Sequence, residues 1–358
     1  MKMTQNKNWK AFGYAILAAL LYGISTPVSK LLLLKLPATM MAACLYLGAG
    51  FGMLCLALIQ KMQKKGNREA GISRKDGPYV AGMILLDIAA PIFLMLGLTM
   101  TTAANGSLLN NFEIVATSVI ALFLFRESIG KRMWIAIGFI TLSSILLSIT
   151  EKGSLSFSLG SFFVLLACVC WGFENNCTRM LSLKDPLQIV IWKGFGSGTG
   201  ALIIAFFVHE VVAEWLYIGI ALLLGFVAYG LSIFVYILAQ RKLGAARTSA
   251  FYAFAPFIGV IVSWIVLKEP ITLIFIVALI MMLVGAYFAV TEQHQHLHLH
   301  MMEQHTHKHN HKDGHHNHVH EELVEGEHTH EHIHEQMEHS HGHLPDLHHR
   351  HSHGPNNK

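Results

Sequence analysis

Charge is scarce in this chain. Only 13% of its 358 residues are Asp, Glu, Lys or Arg, against 53% hydrophobic. Soluble domains carry about 25% charge, so an ordinary soluble fold is excluded and a polytopic membrane protein is expected. Histidine is almost missing from the first 290 residues, where His209 stands alone. No ladder of imidazoles can therefore carry a metal through the apolar part. The five cysteines, Cys44, Cys55, Cys168, Cys170 and Cys177, all lie in apolar stretches, and none suggests an extracellular disulfide framework. No G-x-x-x-x-G-K-[ST] signature occurs, so ATP drive by this chain is not indicated, and nothing points to an enzyme or a required cofactor.

What is there is a series of apolar stretches suited to a hydrocarbon core about 30 Å thick. They fall near 11–34, 38–60, 78–99, 101–125, 133–150, 158–180, 186–208, 215–239, 244–267 and 271–290. Lys2, Lys7 and Lys10 precede the first, as in a signal peptide. That run is too long for one and lacks a small-x-small cleavage site, so it reads as an uncleaved span. With the N-terminus inside, 17 Lys and Arg fall on the cytoplasmic side, while the other side receives only Lys30, Lys35, Lys152 and Lys268. This bias predicts a cytoplasmic N-terminus (1–10) and a cytoplasmic tail. The basic excess of the body thus reflects topology and not nucleic-acid binding.

The body is also a repeat. Phe125-Arg126-Glu127-Ser128-Ile129 aligns with Leu267-Lys268-Glu269-Pro270-Ile271. Ala103, Ala104, Ser107 and Phe112 then fall on Ala245, Ala246, Ser249 and Phe254. Tyr22-Gly23 falls on Trp171-Gly172, and Gly48, Gly50 and Gly52 fall on Gly194, Gly196 and Gly198. Residues 11–150 and 158–290 each hold five spans, an odd number, so the second half enters the membrane upside down. Inverted repeats place a solute site near midplane between the halves. The expected fold is an all-α integral membrane protein of ten transmembrane helices in two inverted five-helix repeats.

Each half ends in a small-residue helix, a short glutamate-containing turn and a last helix. In this it resembles the EamA-type drug/metabolite transporter family, most closely from Ala245 through Pro256 to Glu269-Pro270. The first half departs, with Ile114 where Pro256 stands. The resemblance covers roughly residues 11–290. It implies a ten-helix carrier in a bacterial-type inner membrane that moves small organic solutes, often outward.

Ionisable groups in lipid are costly and mark function by default. Asp87 and Glu113 fall near midplane; Glu174 and Lys193 fall in the cytoplasmic third, with amides from Asn110, Asn111, Asn175 and Asn176 at similar depths. Asp87, Glu113, Glu174, Lys193, Asn110 and Asn175 are the candidates for binding solute or a coupling proton. The plain alternative is a buried Asp87 or Glu113 pair with Lys193 that only locks helices. The repeat favours function: Ser25 aligns with Glu174 and Leu47 with Lys193, so the shared fold does not need these charges. Glu127 and Glu269, at helix-turn junctions, read as caps or interface anchors. Cys170, Glu174 and Cys177 share one helical face and could ligate a borderline metal, although small apolar filler is the commoner role of cysteine. Pro27, Pro91 and Pro256 are expected to break or kink helices, the glycine runs to pack helices closely, and Tyr22, Trp171 and Tyr252 to face a cavity or to pack.

The remaining histidines, 23 of 24, lie between His294 and His353. Residues 291–358 hold 11 acidic and 4 basic residues and no apolar periodicity, so a tail without a fold of its own is expected when metal-free. His294, His296, His298, His300, His305, His307, His309, His315, His316, His318 and His320 are candidate ligands for Zn, Ni, Co or Cu, through many overlapping sites. A pH-responsive tail and an idle extension are the competing readings. Expected partners are the bilayer, a small solute and divalent metal ions, and a homodimer is left open. The main reading is secondary transport of a small polar solute across the cytoplasmic membrane, as efflux, with a metal-binding regulatory or buffering tail. The alternative is a divalent Ni, Co or Zn exporter fed by it.

Overall fold

A computed structural model describes residues 2–62, 71–125, 129–149, 158–181, 184–243, 248 and 251–291, with four stretches of the tail. The body is all-helical. Its helices are α1 (Lys2–Gly23), α2 (Ser25–Leu32), α3 (Ala38–Met62), α4 (Gly77–Met100), α5 (Ala103–Leu109), α6 (Phe112–Phe125), α7 (Lys131–Ser148), α8 (Leu159–Arg179), α9 (Pro186–Phe207), α10 (Trp215–Gly225), α11 (Ser232–Leu243), α12 (Ala255–Leu267) and α13 (Leu273–Val290). Together α1 and α2 form span one, α5 and α6 span four, and α10 and α11 span eight. Among the described residues nine helical segments are long and apolar enough to cross a membrane, and α12 is a shorter apolar helix in span nine. The outer surface is apolar: Phe123, Phe207, Trp215 and Leu273 are each at least 75% exposed. The interior is rich in small residues instead, including Ala15, Ala18, Ala42, Ala90, Ala136, Ala167 and Ala278. Lipid tails are as apolar as leucine, so close backbone approach, not apolar burial, holds such a bundle together.

The packing has the two-fold form that the repeat implies. Spans three and six lie against each other, as do their counterparts, spans eight and one. Spans two and seven, four and nine, and five and ten each pack on their own counterpart. The crossing of spans two and seven is glycine against glycine. A Cβ on Gly194 would stand 2.4 Å from the Gly50 nitrogen, which leaves no room for any side chain.

Spans four and nine break at corresponding places by different chemistry. In span nine, Pro256 opens α12, where its missing N–H does no harm. In span four no proline is present. Asn110 and Asn111 form the break, with the Asn111 amide donating to the Leu108 carbonyl at 3.2 Å and tightened turns on either side. Short polar side chains compete with the helix ladder in this way. Span one breaks at Ile24, just ahead of Pro27. Pro91 does not break its helix: α4 runs continuously through it. In span eight a wider π-helical turn, Phe226–Leu231, joins α10 to α11.

On the membrane face opposite the N-terminus, the second half caps helices of the first. Glu269 accepts from the backbone N–H groups of Ala103 (2.7 Å) and Ala104 (2.8 Å), satisfying the start of α5. Glu269 is therefore a cap, as expected, but for a helix of the other repeat. Its partner in the alignment, Glu127, lies outside the described residues. Lys268, which ends α12 in the left-handed region at φ 51°, sets the turn that aims it. Glu210 likewise accepts from the Thr39 N–H at 3.0 Å at the start of α3. At the α4 end, Lys30 donates to the Leu98 and Thr101 carbonyls. On the N-terminal face, Lys184 pairs with Asp76 at 3.0 Å.

In the tail the alternating x-His pattern has the period of a strand. The described stretches run as β1 (Gln295–His300), β2 (Glu303–His309), β3 (His328–His334) and β4 (Met337–Gly342), with β1 antiparallel to β4 and β2 to β3. His296, His298, His300, His305, His307 and His309 are on β1 and β2; His294, His315, His316, His318 and His320 lie outside the described residues.

The glycine crossing is testable by a matched pair. Gly194→Ala forces α3 and α9 apart and is expected to cost about 1–3 kcal/mol, whereas Gly138→Ala, with nothing within 4 Å of its added carbon, is expected to be neutral or slightly stabilising. Thermal unfolding of the purified protein in detergent reads the difference.

Candidate functional site

Four helices from both halves deliver charge to the middle of the bundle. Each begins at a defined point. Ser73 and Asp76 form a capping box ahead of α4. The Ser158 hydroxyl accepts from the Ser161 N–H at the start of α8. Asp185 accepts from the Leu187 N–H at 2.9 Å, with Pro186 as first residue of α9. α6 starts directly after the asparagine break, which brings Glu113 to the middle of span four. These fixed starts set which residues face the interior.

Lys193 of α9 reaches between α4 and α8. Its Nζ lies 3.0 Å from Asp87 Oδ2 and 3.0 Å from Glu174 Oε1. Asp87 is fully buried and Glu174 nearly so, while Lys193 keeps 14% exposure. The Tyr46 hydroxyl donates to the other Asp87 oxygen at 2.8 Å, and the Thr178 hydroxyl donates to Glu174. Charges in this setting persist only when paired and hydrogen-bonded, and here each one is.

Glu113 forms a second centre next to the first. Its Oε1 accepts from the Asn175 amide at 2.7 Å, and the same amide lies 3.2 Å from the Thr117 hydroxyl. The Asn176 amide donates to the Thr117 carbonyl (3.2 Å) and, along its own helix, to the Gly172 carbonyl (2.8 Å). A tyrosine cluster completes the chamber. Tyr22 stacks on Tyr252 with centroids 5.5 Å apart and meets the edge of Tyr229 at 5.9 Å. Tyr229 also meets Tyr46 at 5.4 Å, and its hydroxyl lies 3.4 Å from Ser25 Oγ. Tyr229 sits in the π-helical turn of span eight, which re-aims side chains relative to an ordinary helix.

The structure thus gathers Asp87, Glu113, Glu174, Lys193 and Asn175 around one polar chamber. Asn110 lies at the break of span four, buried, and its side-chain oxygen has no hydrogen-bond partner among the described residues. Of the aromatic candidates, Tyr22 and Tyr252 join the cluster. The shared face of Cys170, Glu174 and Cys177 is put to other use: Glu174 is engaged by Lys193 and Thr178, and Cys177 lies against Gly82. Among the described residues no group of three His, Cys, Asp or Glu side chains is arranged to hold a metal ion. Tyr46, Tyr229, Thr117 and Thr178 escape a reading of the sequence. A hydroxyl inside an apolar run carries no signal of its own; only its partner, distant in the chain, distinguishes it from packing.

Removing the ammonium alone leaves two carboxylates buried without their cation. Lys193→Met is expected to lose about 3–5 kcal/mol, and the triple change Lys193→Met, Asp87→Asn, Glu174→Gln to regain most of it. Thermal unfolding of the two variants in the same detergent measures the recovery.

The EamA-like transporter family model matches residues 9–149 and again residues 158–291. An uncharacterised transporter of Methanothermobacter thermautotrophicus is 27% identical over 303 residues, covering 78% of this chain and 86% of the relative. The uncharacterised transporter YyaM of Bacillus subtilis is 22% identical over 254 residues, covering 68% and 81%. One crystal structure of a protein superposes with a TM-score of 0.56 at 14% identity, over 77% of this chain and 95% of the other, a likeness of fold alone. Two matches in tandem take in most of the chain, and with the two-fold packing and the apolar exterior they establish that it is a membrane transporter, not an enzyme, belonging to the EamA-like transporter family.

Proposed function

We propose that the protein is a secondary carrier that exports a small polar solute across the cytoplasmic membrane by alternating access. One observation carries this reading: the polar links of the chamber join the two halves. Lys193 to Asp87, Asn175 to Glu113, Asn176 to Thr117 and Tyr229 to Ser25 each connect the first repeat to the second. When one half rocks against the other, these links must break or exchange partners, and a solute with matching groups can take their place. Asp87, Glu113, Glu174, Lys193 and Asn175 are the binding groups, or carry the proton that drives the cycle. Asn110 adds an amide at the break of span four. The Lys and Arg bias of the loops supports an orientation with both termini in the cytoplasm.

The histidine tail then lies at the inner mouth, outside the repeat, and binds Zn, Ni, Co or Cu as a buffer or sensor. Direct metal export finds less support, because Lys193 already engages two of the three carboxylates.

The test compares cells lacking the protein with cells carrying it whole, truncated after Thr291, or as Lys193→Met. A solute that appears in the medium with the whole and truncated forms, and not with Lys193→Met, is the expected result. Unchanged medium together with lowered nickel, cobalt or zinc content would overturn the reading in favour of a metal exporter. For the tail, titration of the purified full-length protein with NiCl2 or ZnCl2 at pH 7.5 is expected to show several binding events. They should be absent after truncation and weaken below about pH 6, as unperturbed imidazoles take up protons. No binding above neutral pH refutes the metal assignment.

A further inference from the structure

Among the described residues the chamber's charges do not balance, and its walls are aromatic. Three carboxylates there, Asp87, Glu113 and Glu174, face one ammonium, Lys193. The ammonium is committed to Asp87 and Glu174, at 3.0 Å from each. Glu113 is held by a neutral amide on one oxygen, and its second oxygen has no partner among the described residues. Unlike Asp87 and Glu174, which are buried, Glu113 keeps partial exposure although it starts α6 in the middle of its span. The tyrosine cluster reaches the same network through Tyr46, whose ring lies 5.4 Å from Tyr229 and whose hydroxyl donates to Asp87. Tyr22 and Tyr252 are likewise only partly buried. A carboxylate with a free oxygen, beside clustered tyrosine rings, presents negative potential from two sources, since an aromatic face also attracts cations.

From this geometry we infer that the chamber selects an organic ammonium ion, with Glu113 as its counter-charge and Tyr22, Tyr229 and Tyr252 as its aromatic wall. This rests on the reading of the chamber as a solute site and names the class of solute. An anion would meet the unpaired Glu113. A neutral solute would leave that charge uncompensated in a medium of low polarity. An ammonium compensates it, and its methylene or methyl groups pack on the rings.

The experiment uses the full-length protein in lipid nanodiscs and three probes: tetramethylammonium or butylammonium as cation, butanol as neutral and butyrate as anion. Isothermal titration gives affinity, and the near-ultraviolet circular dichroism of tyrosine reports where binding occurs. The ammonium probes are expected to bind at least tenfold more tightly than butanol or butyrate and to change the tyrosine signal. Glu113→Gln is expected to abolish that preference, Glu113→Asp to keep part of it, and Tyr22→Leu or Tyr252→Leu to weaken ammonium binding several-fold. Equal binding of butanol or butyrate, or ammonium binding unchanged in both the Glu113 and the tyrosine variants, overturns the inference. Should Glu113→Gln fail to fold, the two tyrosine variants and Glu113→Asp decide the matter. The carrier reading fails separately: it falls if no solute leaves the cell with the intact protein, whichever probe binds. If a solute is exported and ammonium ions neither bind nor compete with it, only the present inference falls.

Discussion

The need to satisfy Lys193 inside the membrane governs the architecture. An ammonium in hydrocarbon is stable only among acceptors, and those acceptors come from α4 in one half and α8 in the other. That requirement pins span seven to spans three and six. It also explains the tyrosine and threonine hydroxyls around the pair, because a buried carboxylate needs further hydrogen-bond donors for its remaining lone pairs. A network of this sort is stable when complete and poor when half complete. It can therefore hold one arrangement of the two halves and yield to another when a solute supplies equivalent groups.

Around this centre the two repeats share a backbone plan and differ in chemistry. Both have a broken fourth helix, yet one break is made by a proline and the other by two asparagines. The frame needs only an interruption there, and either device provides it. The charges follow the opposite rule. Glu174 and Lys193 answer to Ser25 and Leu47 in the sister repeat, so they are additions to the frame. Ser25 still borders the chamber through Tyr229, which shows the first repeat contributing to the same space by a neutral group. On the face opposite the N-terminus, Glu269 and Glu210 cap helices of the other half, and these contacts too must change if the halves rock.

Much of this was legible in the chain. Apolar length gave the spans, and the Leu267-Lys268-Glu269-Pro270 turn with its sister revealed the repeat. Lipid makes both signals strong, since every charge in a span is an exception. Loss of symmetry then singled out Glu174 and Lys193. The exceptions have physical causes. Pro91 leaves α4 unbroken, because a proline removes one hydrogen bond and neighbouring helices can support the rest. The asparagine break was hidden, since an amide beside a glutamate reads as a ligand and not as a backbone device. Tyr46 and Tyr229 were invisible because a hydroxyl's worth depends on a partner tens of residues away. The Cys170, Glu174 and Cys177 face was visible, but spacing showed only what one helix presents, not what the neighbouring helix takes.

The central claim is that the cross-half charge network is the transport site and not merely a staple. The most direct test is solute exit from proteoliposomes holding the folded triple variant Lys193→Met, Asp87→Asn, Glu174→Gln, with the solute that the intact protein releases from cells. The network account predicts a folded protein with no flux above empty liposomes. Flux at the rate of the intact protein would show that these charges only hold helices together, and would contradict it.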